Sequence, residues 1–142
     1  MADLHPQLKK DCLLLGQFKL CKLLLMKDAN YPWFILVPDR QAVTEIYQLD
    51  EADQQQLMRE SSSMAKVLVE DFSAEKVNIA ALGNVVPQLH VHHVARYHDD
   101  PAWPAPVWGA CAAQAYDDEA LQQRMDKILS ALQGLAGFSV AS

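Results

Sequence analysis

A single run of sequence, VPQLHVHHVAR at residues 86–96, contains three of the five histidines of the chain. Successive side chains of a β-strand point to opposite faces, so Gln88, His90 and His92 would share one face at intervals of roughly 6.5–7 Å between Cα atoms. The intervening residues and His93 would face the other way. Because neutral imidazole is available near pH 7, the row of two imidazoles and a carboxamide suits nucleophilic or metal chemistry.

The size and composition of the chain predict one compact domain spanning residues 1–142. A length of 142 residues is enough to bury a core, and 51% hydrophobic with 21% charged residues is ordinary for a globular protein. The net charge of −6 argues against a nucleic-acid partner, because a phosphate backbone requires a basic surface. A small phosphorylated ligand needs only a local pocket and is compatible with this charge.

The cysteines, the first ten residues and the length of the apolar runs predict the cellular compartment of the protein. Cys12, Cys21 and Cys111 are widely spaced and form no CxxC motif, which favours reduced thiols over a disulfide framework. Residues 1–10 are polar and lack the apolar stretch of a secretion signal. The apolar runs are too short to cross a bilayer. We therefore expect a soluble cytoplasmic protein with no membrane partner.

The order of predicted elements is strands, helix, strands, helix. Asp50 is a good N-cap for a long helix with an apolar stripe, a second helix is signalled over about 117–135, and residues 3–10 suit a short helix or an arm. Gly83 and Asn84 suit a tight turn between two strands. The predicted strands are 12–18, 20–26, 33–37, 75–82 and 88–97. This order favours an α+β domain with an antiparallel sheet.

The stretch 86–96 resembles the signature of the histidine triad (HIT) family, His-φ-His-φ-His-φ-φ, in which φ is apolar. Gln88 stands at the first histidine position, His90 at the middle one and His92 at the third, followed by His93 and Val94 at the two φ positions. The upstream order of turn, strand, long helix and hairpin is also similar, over about residues 12–109. The resemblance implies a HIT-like fold, with about five antiparallel strands, a long helix packed on them, and a two-fold homodimer.

The resemblance also implies an activity. In this family the middle histidine attacks the α-phosphate of a nucleotide ester, anhydride or phosphoramidate and forms a nucleotidyl-histidine. The implied function is a nucleotide hydrolase or nucleotidyl transferase with a covalent intermediate on His90 and no cofactor or metal. His92 would donate a hydrogen bond to a phosphate oxygen. Gln88 could donate or accept a hydrogen bond, but it could neither shuttle a proton nor carry a positive charge.

Three further positions are implied as substrate-binding residues. Asn84 would reach the phosphate, Asp28 would bind the ribose hydroxyls, and Trp103 would approach the nucleotide from the partner subunit. Asp28 and Asn84 could instead be turn residues, and Trp103 could serve loop packing or a dimer contact. The tryptophans belong to a loop at residues 99–109 that three prolines keep out of regular structure.

Two other functions remain open from the sequence. The glutamine at position 88 would suit a module that binds a nucleotide without hydrolysing it. Alternatively, two histidines at i and i+2 on a strand could bind zinc, with a third ligand such as Asp28 or His98.

Overall fold

A computed structural model describes residues 2–142, and in these residues six antiparallel strands form one sheet with three α-helices beside it. The helices are α1 (Pro6–Asp11), α2 (Glu51–Glu70) and α3 (Asp118–Leu132), and a short 3-10 helix spans Ile46–Gln48. The strands are β1 (Cys12–Gln17), β2 (Cys21–Met26), β3 (Trp33–Pro38), β4 (Lys76–Ala80), β5 (Val91–Arg96) and β6 (Ser139–Val140). Their order across the sheet is β4-β5-β3-β2-β1-β6. The predicted α+β fold class is confirmed. None of the helices in this part of the chain has the length and apolar character needed to cross a bilayer.

Both faces of the central sheet are covered. On one face, Phe34 and Leu36 of β3 belong to the larger hydrophobic core, together with Met64 of α2. On the other face, Ile35 and Val37 pack in a second cluster beneath α1 and the loop after β5. Every residue of β3 is buried, which explains why its sequence is a continuous apolar run rather than an alternating one.

Local sequence signals position helix α2. The Asp50 side chain accepts a hydrogen bond of 2.7 Å from the backbone N–H of Asp53, which caps the first turn. Leu57, Ser61 and Met64 are buried at steps of three and four residues, so one stripe of the helix faces β5.

The sheet has one strand more than the five expected from the sequence. β6 is only two residues long and pairs with β1 across the whole length of the chain. Gly16 permits this pairing, since a Cβ there would collide with the carbonyl oxygen of Ser139 and the ring of Phe138. So short a strand gives no periodic signal, and its partner is far away in sequence.

β4 and β5 pair antiparallel as predicted, but the predicted tight turn between them is wrong. β4 ends at Ala80 and β5 begins at Val91, so residues 81–90 form a connection rather than two paired strands joined at 83–84. Pro87 has no N–H to donate to a ladder, and Val86 turns inward to pack in the second cluster. His90 therefore lies one residue before β5, whereas His92 lies within it.

Candidate active site

His90 is buried beside the start of β5, with 7% of its surface exposed. Its Nδ1 atom lies 2.7 Å from the backbone carbonyl oxygen of Gln88. A carbonyl only accepts, so Nδ1 must carry the proton. The neutral ring then has its lone pair on Nε2, which is the nitrogen available to attack an electrophile.

His92 has the opposite arrangement of ring nitrogens. The indole N–H of Trp33 donates to His92 Nδ1 at 2.9 Å, and an indole nitrogen can only donate. The neutral ring of His92 therefore carries its hydrogen on Nε2. Burial, together with repulsion from positive charge on His90 and His93, lowers the pKa of His92 to about 3, so the ring is neutral at pH 7.

The two imidazoles form one pair on the same side of the sheet. The ring centroids of His90 and His92 are 5.0 Å apart, with an interplanar angle of 66°. One ring offers a nitrogen lone pair, and its neighbour offers an N–H donor. This combination suits attack on a centre whose attached oxygens carry negative charge.

His93 faces helix α2, as strand parity predicts. It is fully buried, and its Nε2 lies 2.7 Å from Ser61 Oγ. Its Nδ1 lies 3.1 Å from the carbonyl oxygen of Val91, so Nδ1 carries the proton and Nε2 accepts from the serine hydroxyl. Burial lowers the pKa of His93 to about 4. The contact joins α2 to β5.

The amide of Gln88 is bound to the N-terminal segment of residues 2–5. Its Oε1 accepts from the backbone N–H of His5 at 2.8 Å, and its Nε2 donates to the carbonyl oxygen of Asp3 at 3.0 Å. The same segment is fixed further out, where the backbone N–H of Ala2 donates to Asp39 Oδ1 at 2.6 Å. Gln88 thus accepts a hydrogen bond from His90 through its backbone carbonyl and binds the N-terminal segment through its side-chain amide.

A cleft of about 450 Å³, within the size range of small-molecule sites, is lined by the two tryptophans that pack on His92, but neither His90 nor His92 lines it. The indoles of Trp33 and Trp108 line it and also pack against the His92 ring, with centroid distances of 5.7 and 5.2 Å. The buried Nε1 of Trp108 has no hydrogen-bond partner among the described residues. Other residues that line this cleft include Lys10, Asp11, Met26, Lys27, Asp28 and Cys111.

Of the predicted substrate-binding residues, Asp28 lies in this cleft. It is 7% exposed, and its Oδ1 accepts from the backbone N–H groups of Asn30 and Gln114 at 3.0 and 3.1 Å. Asp28 therefore also fixes its own turn and the segment before α3. Asn84 does not line the cleft, and it is exposed in the connection 81–90. A separate cavity of about 20 Å³ beside His90 has room for about one water molecule.

Trp103 does not line this cleft. Its ring packs on His98 with centroids 4.7 Å apart, and the guanidinium carbon of Arg96 lies 5.4 Å from its centroid. The tryptophan of this loop that reaches the cleft is Trp108. Nothing in the spacing of the loop distinguishes the two, since both follow prolines in an irregular segment.

A buried ion pair anchors the loop that carries both tryptophans. Arg96 is 1% exposed and donates to both carboxylate oxygens of Asp100 at 2.8 and 3.1 Å, and it also donates to Asn78 and the carbonyl oxygen of Ala105. Burial alone would raise the pKa of Asp100, but hydrogen bonds from Arg96 and three backbone N–H groups lower it to about 2.

The zinc hypothesis lacks a third ligand. Within residues 2–142, no group of three or more His, Cys, Asp or Glu side chains is placed to hold a metal ion. Of the suggested ligands, Asp28 is bound to backbone N–H groups, and His98 Nδ1 lies 2.8 Å from a carboxylate oxygen of Glu75.

Comparison with known proteins identifies the family. Residues 7–99 match the HIT domain. Histidine triad proteins from Marinobacter aquaeolei and Bradyrhizobium japonicum have similar structures, with 46% and 47% identity and TM-scores of 0.91 and 0.88. The first match covers 96% of this chain and 99% of the other, and the second covers 91% and 96%. A histidine triad protein from Sinorhizobium meliloti is 41% identical, with a TM-score of 0.88 over 92% of this chain and 96% of that one. No curated protein matches with significance.

The chain belongs to the HIT family, a family of nucleotide-binding proteins.

Proposed function

We propose that the protein is a nucleotide hydrolase or nucleotidyl transferase that acts on an α-phosphate through a covalent intermediate on His90. The observation that carries this proposal is the complementary pair of imidazoles. Nδ1 of His90 is held as a donor by the Gln88 carbonyl, which leaves Nε2 free, and Nδ1 of His92 is held as an acceptor, which leaves an N–H on Nε2.

The reaction proceeds in two displacements. The Nε2 lone pair of His90 forms an N–P bond while the bond from phosphorus to the leaving group breaks, and its electron pair goes to the leaving group. Water, or another acceptor, then attacks phosphorus, the electrons of the P–N bond return to Nε2, and the nucleotide is released with a proton. The Gln88 carbonyl stabilises the positive ring of the intermediate, and His92 holds a phosphoryl oxygen.

The neutral side chain of Gln88 sets a limit on this mechanism. An amide cannot deliver a proton to the leaving group, and this amide is already bound to the N-terminal segment. The leaving group therefore takes its proton from water. Nucleotide anhydrides need no such proton, because their leaving group departs as a stable anion, whereas the amine of a phosphoramidate must first be protonated by water.

The nucleoside would occupy the cleft lined by Trp33 and Trp108. The indoles of Trp33 and Trp108 provide flat apolar walls for a base, and the Oδ2 atom of Asp28 is available for ribose hydroxyls. The charges of the lining balance, because Lys10 and Lys27 are matched by Asp11 and Asp28. Asn84 would approach the phosphate only if the connection 81–90 moved inward on binding.

The assembly we propose is a homodimer of single HIT-like domains in the cytoplasm. Trp103 lies outside the cleft of its own subunit, which fits a role at the nucleotide site of a partner subunit or in the subunit contact. Three free cysteines suit a reducing compartment.

The direct test is to trap the intermediate. Adenosine 5′-phosphoramidate is mixed with the protein, the reaction is quenched, and peptides are analysed for an adenylyl group on His90. His90→Ala should abolish both adduct and turnover, whereas His98→Asn, which changes an exposed imidazole outside the cleft, should retain both. Undiminished turnover by His90→Ala would exclude the covalent mechanism.

A nucleotide-binding module without catalysis is the second candidate, and the neutral, already occupied amide of Gln88 favours it. Calorimetry with adenosine monophosphate, run beside product analysis, separates the two. Binding without any adduct or product supports the module. Slow turnover that depends on His90 excludes it.

A further inference from the structure

We propose that Trp33 is a positioning residue whose indole N–H holds His92 in the tautomer that carries its hydrogen on Nε2. A phosphoryl oxygen at this site then meets a donor rather than a lone pair. The last step rests on the proposed function, whereas the tautomer itself does not.

The indole is placed for this role by the register of the sheet. Trp33 begins β3 and pairs with Val94, while Ile35 pairs with His92, so the indole reaches diagonally to the imidazole of the neighbouring strand. Its Nε1 lies 2.9 Å from His92 Nδ1. Diagonal neighbours of an antiparallel pair lie within reach of aromatic side chains.

The Trp33 ring has little freedom to turn away. It is 6% exposed, and its centroid lies 6.2 Å from that of Tyr31 and 5.9 Å from that of Trp108, both edge to face. These contacts hold the N–H in one direction. A donor fixed in this way needs no reorganisation when substrate binds.

The chemistry of the two rings determines the tautomer. A neutral imidazole can carry its hydrogen on either nitrogen, and the hydrogen bond made by one nitrogen decides the state of the other. An indole offers a hydrogen and no acceptor, so hydrogen on Nδ1 would set two N–H groups against each other in a buried position. It would also leave Nε2 with a lone pair facing the phosphoryl oxygens.

The tautomer is measured without substrate. Protein labelled with ¹⁵N-histidine is studied at neutral pH by long-range ¹H–¹⁵N correlation, and the His92 ring is assigned with His92→Asn. Wild type should show Nδ1 of His92 unprotonated and Nε2 protonated. Trp33→Phe keeps an aromatic ring without the N–H and should give a mixture of the two tautomers.

Trp108→Phe is the matched control. This indole contacts the same His92 ring, but its N–H has no partner within residues 2–142, so its removal should leave the His92 tautomer unchanged. The proposal is overturned if wild-type His92 carries its hydrogen on Nδ1, or if Trp33→Phe has the wild-type tautomer. It is also overturned if Trp33→Phe and Trp108→Phe change the ring equally, because this result would indicate general packing.

The effect of Trp33 on catalysis is measured separately, as kcat and KM. Trp33→Phe should lower kcat for the phosphoramidate about tenfold, since a preorganised donor to the reacting group is weakened. KM should change less than kcat. If the tautomer depends on Trp33 but no turnover is found in wild type, the proposed function fails and the positioning role stands.

Discussion

Acid should destabilise this protein through His93, and replacing that residue should remove a defined part of the effect. The ring is fully buried between β5 and α2, and it accepts from Ser61 Oγ on Nε2. Protonation of Nε2 would place a positive charge in a site where no carboxylate of residues 2–142 pairs with the ring. The serine hydroxyl could then no longer donate to Nε2. The folded protein therefore resists this protonation.

The pKa shift gives the sign and size of the effect. Burial lowers the pKa of His93 from 6.5 to about 4, so between these values the unfolded chain binds more protons than the folded one. The stabilising contribution is complete above pH 6.5 and is lost as the pH falls towards 4. A shift from 6.5 to about 4 corresponds to about 3 kcal/mol of unfolding free energy.

The assay is urea unfolding at several pH values from about 7 to about 4.5, with wild type and His93→Gln compared at each. Glutamine can still accept from Ser61 but has no proton to gain. Carboxylates and His92 contribute to the pH dependence of both proteins, so the difference between them isolates His93. Equal slopes of stability against pH in the two proteins would refute the argument.

Three further substitutions test other parts of the structure. Gln88→Leu should cost about 1–2 kcal/mol and increase hydrogen exchange at the backbone amide of His5, because both amide hydrogen bonds to the N-terminal segment are lost. Asp100→Asn should lower stability to thermal unfolding by about 3–5 kcal/mol, since it leaves the buried Arg96 without its counter-charge. Gly16→Ala should release β6, seen as loss of exchange protection at Val140.

The parts of the fold that local sequence determines were predictable. Asp50 and the periodic apolar residues define α2 within the segment itself, so its position and buried face follow directly. β6 and the length of the connection 81–90 depend on partners elsewhere in the chain. Pro87 signals an interruption of pairing, but only the packing of Val86 shows how far the connection extends.

The candidate site likewise has some features that the sequence predicts and others that it does not. Strand parity assigns His92 and His93 to opposite faces, and the structure agrees. The partners of Gln88 come from residues more than eighty positions earlier, and no pattern around the histidines indicates them. The contact from Trp33 to His92 likewise depends on the pairing of β3 with β5, which sequence spacing does not provide.

The contacts of the two adjacent imidazoles of β5 depend on the register of this strand in the sheet. His92 reaches the indole on one side of the sheet, and His93 reaches the helix hydroxyl on the other. Because side chains alternate with a period of two, a slip of β5 by one residue would move each ring to the opposite face of the sheet. Each imidazole would then meet the wrong surroundings, so a slipped strand would lose reactivity and core packing in a single event.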